Sequence, residues 1–268
     1  VCLDVPFMLA GFINPQPSWA ELERYYSASY APYDPNHGAD VNKSLAVERA
    51  VSEGKLRHIP LPADQDLLDV GCGGGYFLRM AQALGARAVG VEPSPHGAAE
   101  AMRRGLKVFN GTVEQYERSA SGRRFDVITA NHVVEHMPDP VGTLSSMKRL
   151  LKHGEFVWIS VPNASSPLAQ RLRWRWRSAD LPYHLMQFTP SSLRTAAHAA
   201  GFQVRSSPQS PYLPQLRTRC DRLEDAAGHT SPSLVRDSMD RQDVGSSLFH
   251  VLDAVSDGEA LIAELVVG

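Results

Sequence analysis

Cysteine is scarce in this chain: Cys2, Cys72 and Cys220 are its only three in 268 residues, and no two are spaced as C-x-x-C. That argues against a disulfide framework and predicts a reducing, cytoplasmic setting. Charge of one sign is also lacking. Lys and Arg total 27 against 29 Asp and Glu, a net −2, so no global field draws the molecule to nucleic acid or anionic lipid. No apolar run is long enough to cross a bilayer, and the first residues lack the basic-then-apolar layout of a secretory signal. Internal repeats and low-complexity stretches are absent as well. The remaining composition, 43% hydrophobic and 21% charged, is that of a soluble globular protein. The length suits one α/β domain with additions.

What the chain does have is concentrated in Leu67-Leu68-Asp69-Val70-Gly71-Cys72-Gly73-Gly74-Gly75-Tyr76-Phe77. An apolar strand runs into a glycine-rich turn and then a helix. Gly71, Gly73 and Gly75 leave no Cβ in the turn, so backbone can approach a ligand closely. The following helix aims its free N–H groups at the same spot. About 20 residues on, Ala88-Val89-Gly90-Val91-Glu92 reads as a second strand ending in an acid, where a βαβ nucleotide fold holds ribose hydroxyls. The glycine spacing is not the G-x-G-x-x-G of a pyrophosphate site. Asp69 stands just ahead of it, and a carboxylate there would repel a pyrophosphate but suits a cationic ligand. The alternative, that the glycines only make a tight turn, is disfavoured by Glu92 falling where the fold needs it.

This stretch resembles motif I of the class I S-adenosylmethionine (SAM) methyltransferases, whose cofactor carries an amino acid and a sulfonium. Three further segments are similar to small-molecule members of that family. They are Phe125-Asp126-Val127-Ile128-Thr129-Ala130-Asn131 through Pro140, Leu150 through Asn163, and Pro182-Tyr183-His184 through Phe202. The implied fold is a Rossmann-like α/β domain, a seven-stranded, mostly parallel sheet with helices on both faces and the last strand antiparallel. The pattern itself places strands at Asp64 to Val70, Arg87 to Glu92, Leu106 to Asn110, Phe125 to Ala130, Glu155 to Val161 and Phe202 to Ser206, with a last one at Glu259 to Val267. Helices are expected at Gly75 to Leu84, Pro95 to Arg104 and Thr189 to Ala200, and apolar strands alternating with helices argue for a covered parallel sheet. Residues 1–60 form an N-terminal lead-in and cap, with a helix starting at the Ser18–Glu21 cap signal and another over 40–58. Residues 61–268 form the SAM-dependent domain, with a helical insertion around 213–256. Gly11-Phe12-Ile13-Asn14-Pro15-Gln16-Pro17 followed by Tyr25-Tyr26 and Tyr30 is similar to bacterial methyltransferases that carry an N-terminal zinc ribbon. The ribbon's cysteine pairs are missing here, so no zinc is expected.

The resemblance assigns the cofactor to Asp69, Gly71, Gly73, Gly75 and Glu92, with Thr112, Val113 and Asn131 as further contacts. Thr112-Val113 follows the third strand, where relatives meet adenine through a side chain and a backbone N–H. Many relatives have aspartate at that position, and Thr112 reads equally well as a helix N-cap. Asn131 ends the fourth strand, at the edge where open α/β sheets bind ligands. It is not followed by the Pro-Pro-Tyr/Phe of amide and DNA methyltransferases, which favours a hydroxyl or carbon acceptor over a planar nitrogen.

His132-Val133-Val134-Glu135-His136 formally matches H-x-x-E-H, a zinc-protease pattern, but Pro138 and Pro140 interrupt the helix such a site needs. Some ubiquinone-pathway O-methyltransferases hold a divalent ion with E-x-x-E-H. Here His132 replaces the first Glu, a poor exchange for hard Mg²⁺, so Glu135 and His136 are read as bonding neighbouring loops and no metal is expected. His132 and His184 have comparable claims to act as general base, beside the alternative that alignment alone suffices. Arg171-Leu172-Arg173-Trp174-Arg175-Trp176-Arg177, if extended, would show one basic and one aromatic face. It reads as an acceptor-binding or membrane-proximal lid, or as an ordinary lid with its tryptophans packed inward, and not as a nucleic-acid site. The sequence therefore predicts a SAM-dependent methyltransferase of a small molecule, anionic or lipid-linked acceptors included, most readily at a hydroxyl oxygen. C- or N-methylation and a non-catalytic SAM-binding module are the alternatives.

Overall fold

A computed structural model describes residues 2–4, 11–26, 64–206, 209–210 and 260–267. Two short strands, β1 (Cys2–Asp4) and β2 (Gly11–Ile13), precede a single turn of helix, α1 (Trp19–Leu22). There follow β3 (Asp66–Val70), α2 (Tyr76–Ala83), β4 (Arg87–Glu92), α3 (Pro95–Arg103), β5 (Val108–Asn110), α4 (Val113–Ser119) and β6 (Phe125–Asn131). After a 3₁₀ turn at Val134–His136 come α5 (Pro140–Leu150), β7 (Leu151–Pro162), α6 (Pro167–Leu172), β8 (Met186–Gln187), α7 (Pro190–Ala199), β9 (Phe202–Ser206), β10 (Gln209–Ser210) and β11 (Ala260–Val267).

The main sheet runs β10-β11-β7-β6-β3-β4-β5, with β9 also paired to β11. β9 and β10 follow one another along that edge, so the sheet is seven strands wide. The pairs β3–β4, β4–β5, β3–β6 and β6–β7 are parallel, whereas β11 is antiparallel to β7, β9 and β10. Alternation along the strands builds two cores. Leu68 and Val70 of β3 face Val113, Leu144, Met147 and Leu193 on one side, while Leu67 faces Leu78, Ala81 and Ala101 on the other. Both faces are thus covered, as a parallel sheet requires. The chain leaves β3 for β4 on one side and returns to β6 on the other, so its direction switches at β3. The crevice at such a switch point, beyond the carboxyl ends of the strands, is where open α/β sheets bind ligands.

Most elements match their expected positions within two residues, and β4 and β9 match at both ends. β7 departs: it begins at Leu151, directly after α5, rather than at Glu155. Leu151 pairs with Phe125 and Phe156 with Val127, leaving the intervening residues as a bulge around Gly154 at φ 83°. A second, three-stranded sheet, β1-β2-β8, was not anticipated. Its strands are two or three residues long and carry no alternation to read. It matters because β2 pairs with β8 and the Ile13 N–H donates to the Leu185 carbonyl at 3.0 Å, fastening N-terminal residues to the segment that carries His184. The expected helix at 40–58 and the insertion around 213–256 lie outside the described residues.

Candidate active site

The loop between β3 and α2 is built on three glycines in the left-handed region, Gly71 at φ 68°, Gly73 at 54° and Gly75 at 83°. A side chain there is strained. Two of the glycines also make room. A Cβ on Gly71 would sit 2.5 Å from Val133 Cγ2, and one on Gly75 would strike the Leu106 side chain. The loop is therefore pressed against the segment that follows β6. It is also mostly buried rather than an open edge, Gly73 included. Arg104 braces it from outside, donating to the Gly74 carbonyl at 2.8 Å while pairing with Glu100.

Glu92, at the end of β4, is buried and spans the loop. The Gly73 N–H donates to its Oε2 at 2.8 Å and the Ser94 N–H to its Oε1 at 2.9 Å. Each carboxylate oxygen has lone-pair capacity for another donor, so the acid can hold the loop and still receive a ligand hydroxyl. Asp69 lies beneath the same loop. Burial pushes its carboxyl up to about 7, the Thr129 hydroxyl that donates to Oδ1 at 2.8 Å pulls it down, and the charge of Glu92 raises it further. The signal for Thr129 was present but unread: it is a polar residue in an apolar strand, in register with Asp69.

Thr112 is the N-cap of α4, its hydroxyl accepting the Gln115 N–H and its own N–H donating to the Gln115 side chain. The N-cap reading of Thr112 therefore holds. Val113 is buried at the first position of α4, where an N–H has no intrahelical acceptor. The Gly111 N–H and the Asn110 side chain both donate to the Glu92 carbonyl, at 3.0 and 2.9 Å, which brings this turn to the end of β4. Asn131 closes β6, half-buried and in register with Ser160. The glycine loop, Glu92, Val113 and Asn131 thus gather at the carboxyl ends of β3, β4, β5 and β6.

Beside Asn131 the backbone turns sharply: His132 has φ 55°, with its N–H held by the Ser160 carbonyl at 2.8 Å. Its Nδ1 lies 3.1 Å from Glu135 Oε1. The left-handed turn at His132 and the 3₁₀ turn that carries Glu135 together bring the two side chains to one another. Glu135 is fully enclosed, and its Oε2 has no hydrogen-bond partner among the described residues. Burial pushes the Glu135 carboxyl up, but the hydrogen bond and charge of His132, with His184 adding to them, outweigh it and hold the group below its ordinary value. His136, half-buried, is pushed down to about 4 by desolvation of its ring, which keeps it neutral. His184 is also buried, its Nδ1 2.7 Å from the Ser178 carbonyl and its Nε2 3.9 Å from both Glu135 and Asp180. The sequence thus named His132 and His184 but did not see that Glu135 lies between them.

Glu135, His136 and His184 bring ligating atoms within 4.8 Å of one another, so the cluster bears on the divalent ion that the resemblance raised. The donor set does not suit hard Mg²⁺, which takes oxygen ligands and retains waters; one buried carboxylate is the sole oxygen side chain of the three. His136 is moreover already committed, with its Nδ1 at 2.9 Å from the Tyr26 hydroxyl and a further bond to the Tyr183 main chain. Each ring nitrogen offers a single in-plane direction, so those two bonds use both. Glu135 and His184 alone fall short of the three protein ligands of a catalytic zinc site.

The Arg/Trp segment is not extended. It runs from α6 into 3₁₀ turns at Arg173–Arg175 and Arg177–Ala179, with Arg173 at φ 51°. Alternation therefore does not produce a basic face opposite an aromatic one. Trp176 packs inward and Arg171, Arg173 and Arg175 are exposed.

Comparison with known proteins agrees with this geometry. Residues 44–207 match the model of a family described as a methyltransferase domain. A ubiquinone biosynthesis O-methyltransferase of Pseudoalteromonas translucida is 30% identical over 164 residues, covering 56% of this chain and 69% of the relative. One from Cereibacter sphaeroides is 36% identical over 101 residues, where the chain spans 41% of that relative's length. Among solved structures, a magnesium protoporphyrin IX methyltransferase of Synechocystis with bound S-adenosylhomocysteine superposes with a TM-score of 0.56 at 14% identity, covering 94% of this chain and 100% of the other. A cyclopropane synthase of Mycobacterium tuberculosis gives 0.56 at 14%, covering 94% and 99%. At such identities these two speak for the fold alone. Together with the glycine loop and its carboxylate, the family match places this chain among the class I SAM-dependent methyltransferases.

Proposed function

We propose that the protein methylates a hydroxyl oxygen of a small molecule, using SAM bound over β3 and β4. The observation that carries this reading is the contact of Val133 with Gly71, which packs the residue next to His132 in the chain against the glycine loop. The O-methyltransferase names of the relatives support the choice of oxygen. When bound, SAM supplies an electrophilic methyl group on a sulfonium. Gly71, Gly73 and Gly75 would admit its amino-acid end, Glu92 would receive the ribose hydroxyls, and Asp69 would face the positive charge. Val113 would offer its N–H, which has no acceptor within the helix, to the adenine, with Thr112 and Asn131 flanking. Exclusion of water and alignment of the acceptor then fall to the segment around His132 and to the cap formed by β2, β8 and Tyr26. The exposed Arg171, Arg173 and Arg175 favour an acceptor carrying phosphate or carboxylate, or one attached to a lipid. Among the described residues no helix is long and apolar enough to cross a membrane.

The test is a panel of phenols, catechols, sugar hydroxyls and amines incubated with SAM and read by mass spectrometry. A gain of one methyl on hydroxyl-bearing members alone is expected. Methylation confined to amines, or to carbon, would overturn the assignment to oxygen.

A further inference from the structure

We propose that Glu135 is a positioning residue that holds His132 as the general base of methyl transfer, in place of a metal ion; this rests on the oxygen-methylation reading above. The geometry separates the two candidate histidines. His184 is enclosed, and a ring nitrogen bonded to the Ser178 carbonyl must carry a proton. Its remaining nitrogen faces Glu135 and Asp180 rather than an open crevice. The His132 side chain is 32% exposed, and the residue after it, Val133, lies against Gly71 of the glycine loop.

Glu135 fixes the state of that ring. An ionised carboxylate only accepts hydrogen bonds, so the 3.1 Å contact places a proton on His132 Nδ1 and leaves the lone pair on Nε2, the nitrogen not turned toward Glu135. Among the described residues Oε2 has no hydrogen-bond partner, so the contact with His132 at Oε1 is the hydrogen bond that this carboxylate makes there. A buried polar atom without a partner calls for a reason, and strengthening the neighbouring imidazole as a base is one. The left-handed backbone of His132, tied by its N–H to Ser160, is a second local cost that the fold maintains at this position. Among the described residues the other titratable groups facing Glu135 are His136, kept neutral by desolvation, and His184; Tyr26 and Tyr183 face His136, and Asp180 faces His184.

The step balances without a further reagent. The acceptor O–H gives its proton to His132 Nε2 as an oxygen lone pair forms the O–CH₃ bond. The breaking C–S bond returns its electron pair to sulfur, so the sulfonium becomes a neutral sulfide. The resulting imidazolium is paired with Glu135 and loses its extra proton to solvent through its exposed edge. The arrangement also accounts for His132 standing where ion-binding relatives carry a carboxylate: a base replaces a ligand.

Two measurements decide the proposal. In protein labelled with ¹⁵N-histidine and free of SAM, the neutral His132 ring should be the Nδ1–H form, and its protonation midpoint should fall by about one pH unit or more in Glu135→Gln. The Nε2–H form, or an unmoved midpoint, overturns the dyad. In turnover, His132→Gln and Glu135→Gln should each lose about 100-fold or more in kcat with catechol. Both should lose less than about threefold with 4-nitrocatechol, whose hydroxyl ionises without help, and SAM affinity should not change. Equal losses on both acceptors would mean a merely structural role. Chelator-sensitive wild-type turnover with stoichiometric bound metal would return the site to metal chemistry. Wild type that binds SAM but methylates neither catechol contradicts the oxygen reading, and the ring's tautomer then decides the dyad by itself.

Discussion

Asp69→Asn should make the protein more stable and a poorer binder of SAM, both in a pH-dependent way. In the folded chain burial lifts the Asp69 carboxyl from 3.8 to about 7, with Thr129 opposing and Glu92 adding to the rise. An acid with a raised folded value binds more protons folded than unfolded between those two values. Stability therefore falls as pH climbs from about 4 to 7 and levels off above. Each unit corresponds to 1.36 kcal/mol, so the full penalty at pH 8 is at most about 4 kcal/mol. Asparagine carries no charge and still accepts the Thr129 hydroxyl through its carbonyl oxygen. Chemical denaturation should find the variant stabilised by a few kcal/mol at pH 8 and close to wild type at pH 4. SAM binding should run the other way. If Asp69 meets the ligand's positive charge, wild-type affinity rises from pH 5.5 to 7.5, below the range of about 7.7–8.0 where an α-amino group loses its own proton. Binding should release a proton, seen as a calorimetric enthalpy that changes with the buffer's heat of ionisation. Asparagine should flatten that dependence and weaken binding at pH 7.5. Wild-type affinity that is flat across this window, with an unaffected variant, would refute the placement of Asp69 against the cofactor.

Three further perturbations test other parts of the site. Glu92→Ala should weaken SAM binding by about tenfold or more, since charged hydrogen bonds contribute about 1.5–3 kcal/mol; it should also lower the melting temperature by orphaning the N–H groups of Gly73 and Ser94, and an unchanged calorimetric affinity would remove it from the site. Gly71→Ala should destabilise by both contact and backbone: Val133→Ala in the same chain should recover the contact part, leaving about 1–2 kcal/mol for the left-handed backbone, whereas strict additivity in thermal unfolding would deny that the loop is pressed on Val133. Replacing Arg173, Arg175 and Arg177 together with serine should leave SAM affinity nearly unchanged and raise the acceptor KM, and loss of SAM binding with normal acceptor saturation would reverse that assignment.

Where one local pattern sufficed, the sequence was legible. β4 is bounded by Arg87 and Glu92 as expected, because an apolar run ends there in an acid and a helix-starting proline. The glycine turn and Glu92 meet as expected because both follow adjacent parallel strands. What needed the fold was which side chain turns to which. Asp69 finds Thr129 across 60 residues, and His184 comes to Glu135 from a segment fastened by a strand pair to the N-terminal residues. His132 and His184 have equal standing as residues in a pattern; burial separates them. The basic-aromatic alternation of 171–177 misled, since it has meaning only in an extended chain and that stretch coils into 3₁₀ turns.

The most direct test of the whole account is a calorimetric titration of the purified chain with SAM, paired with S-adenosylhomocysteine as competitor. One saturable site per chain, displaced by S-adenosylhomocysteine and weakened in Glu92→Ala, is the predicted result. A folded protein that takes up neither compound would contradict it.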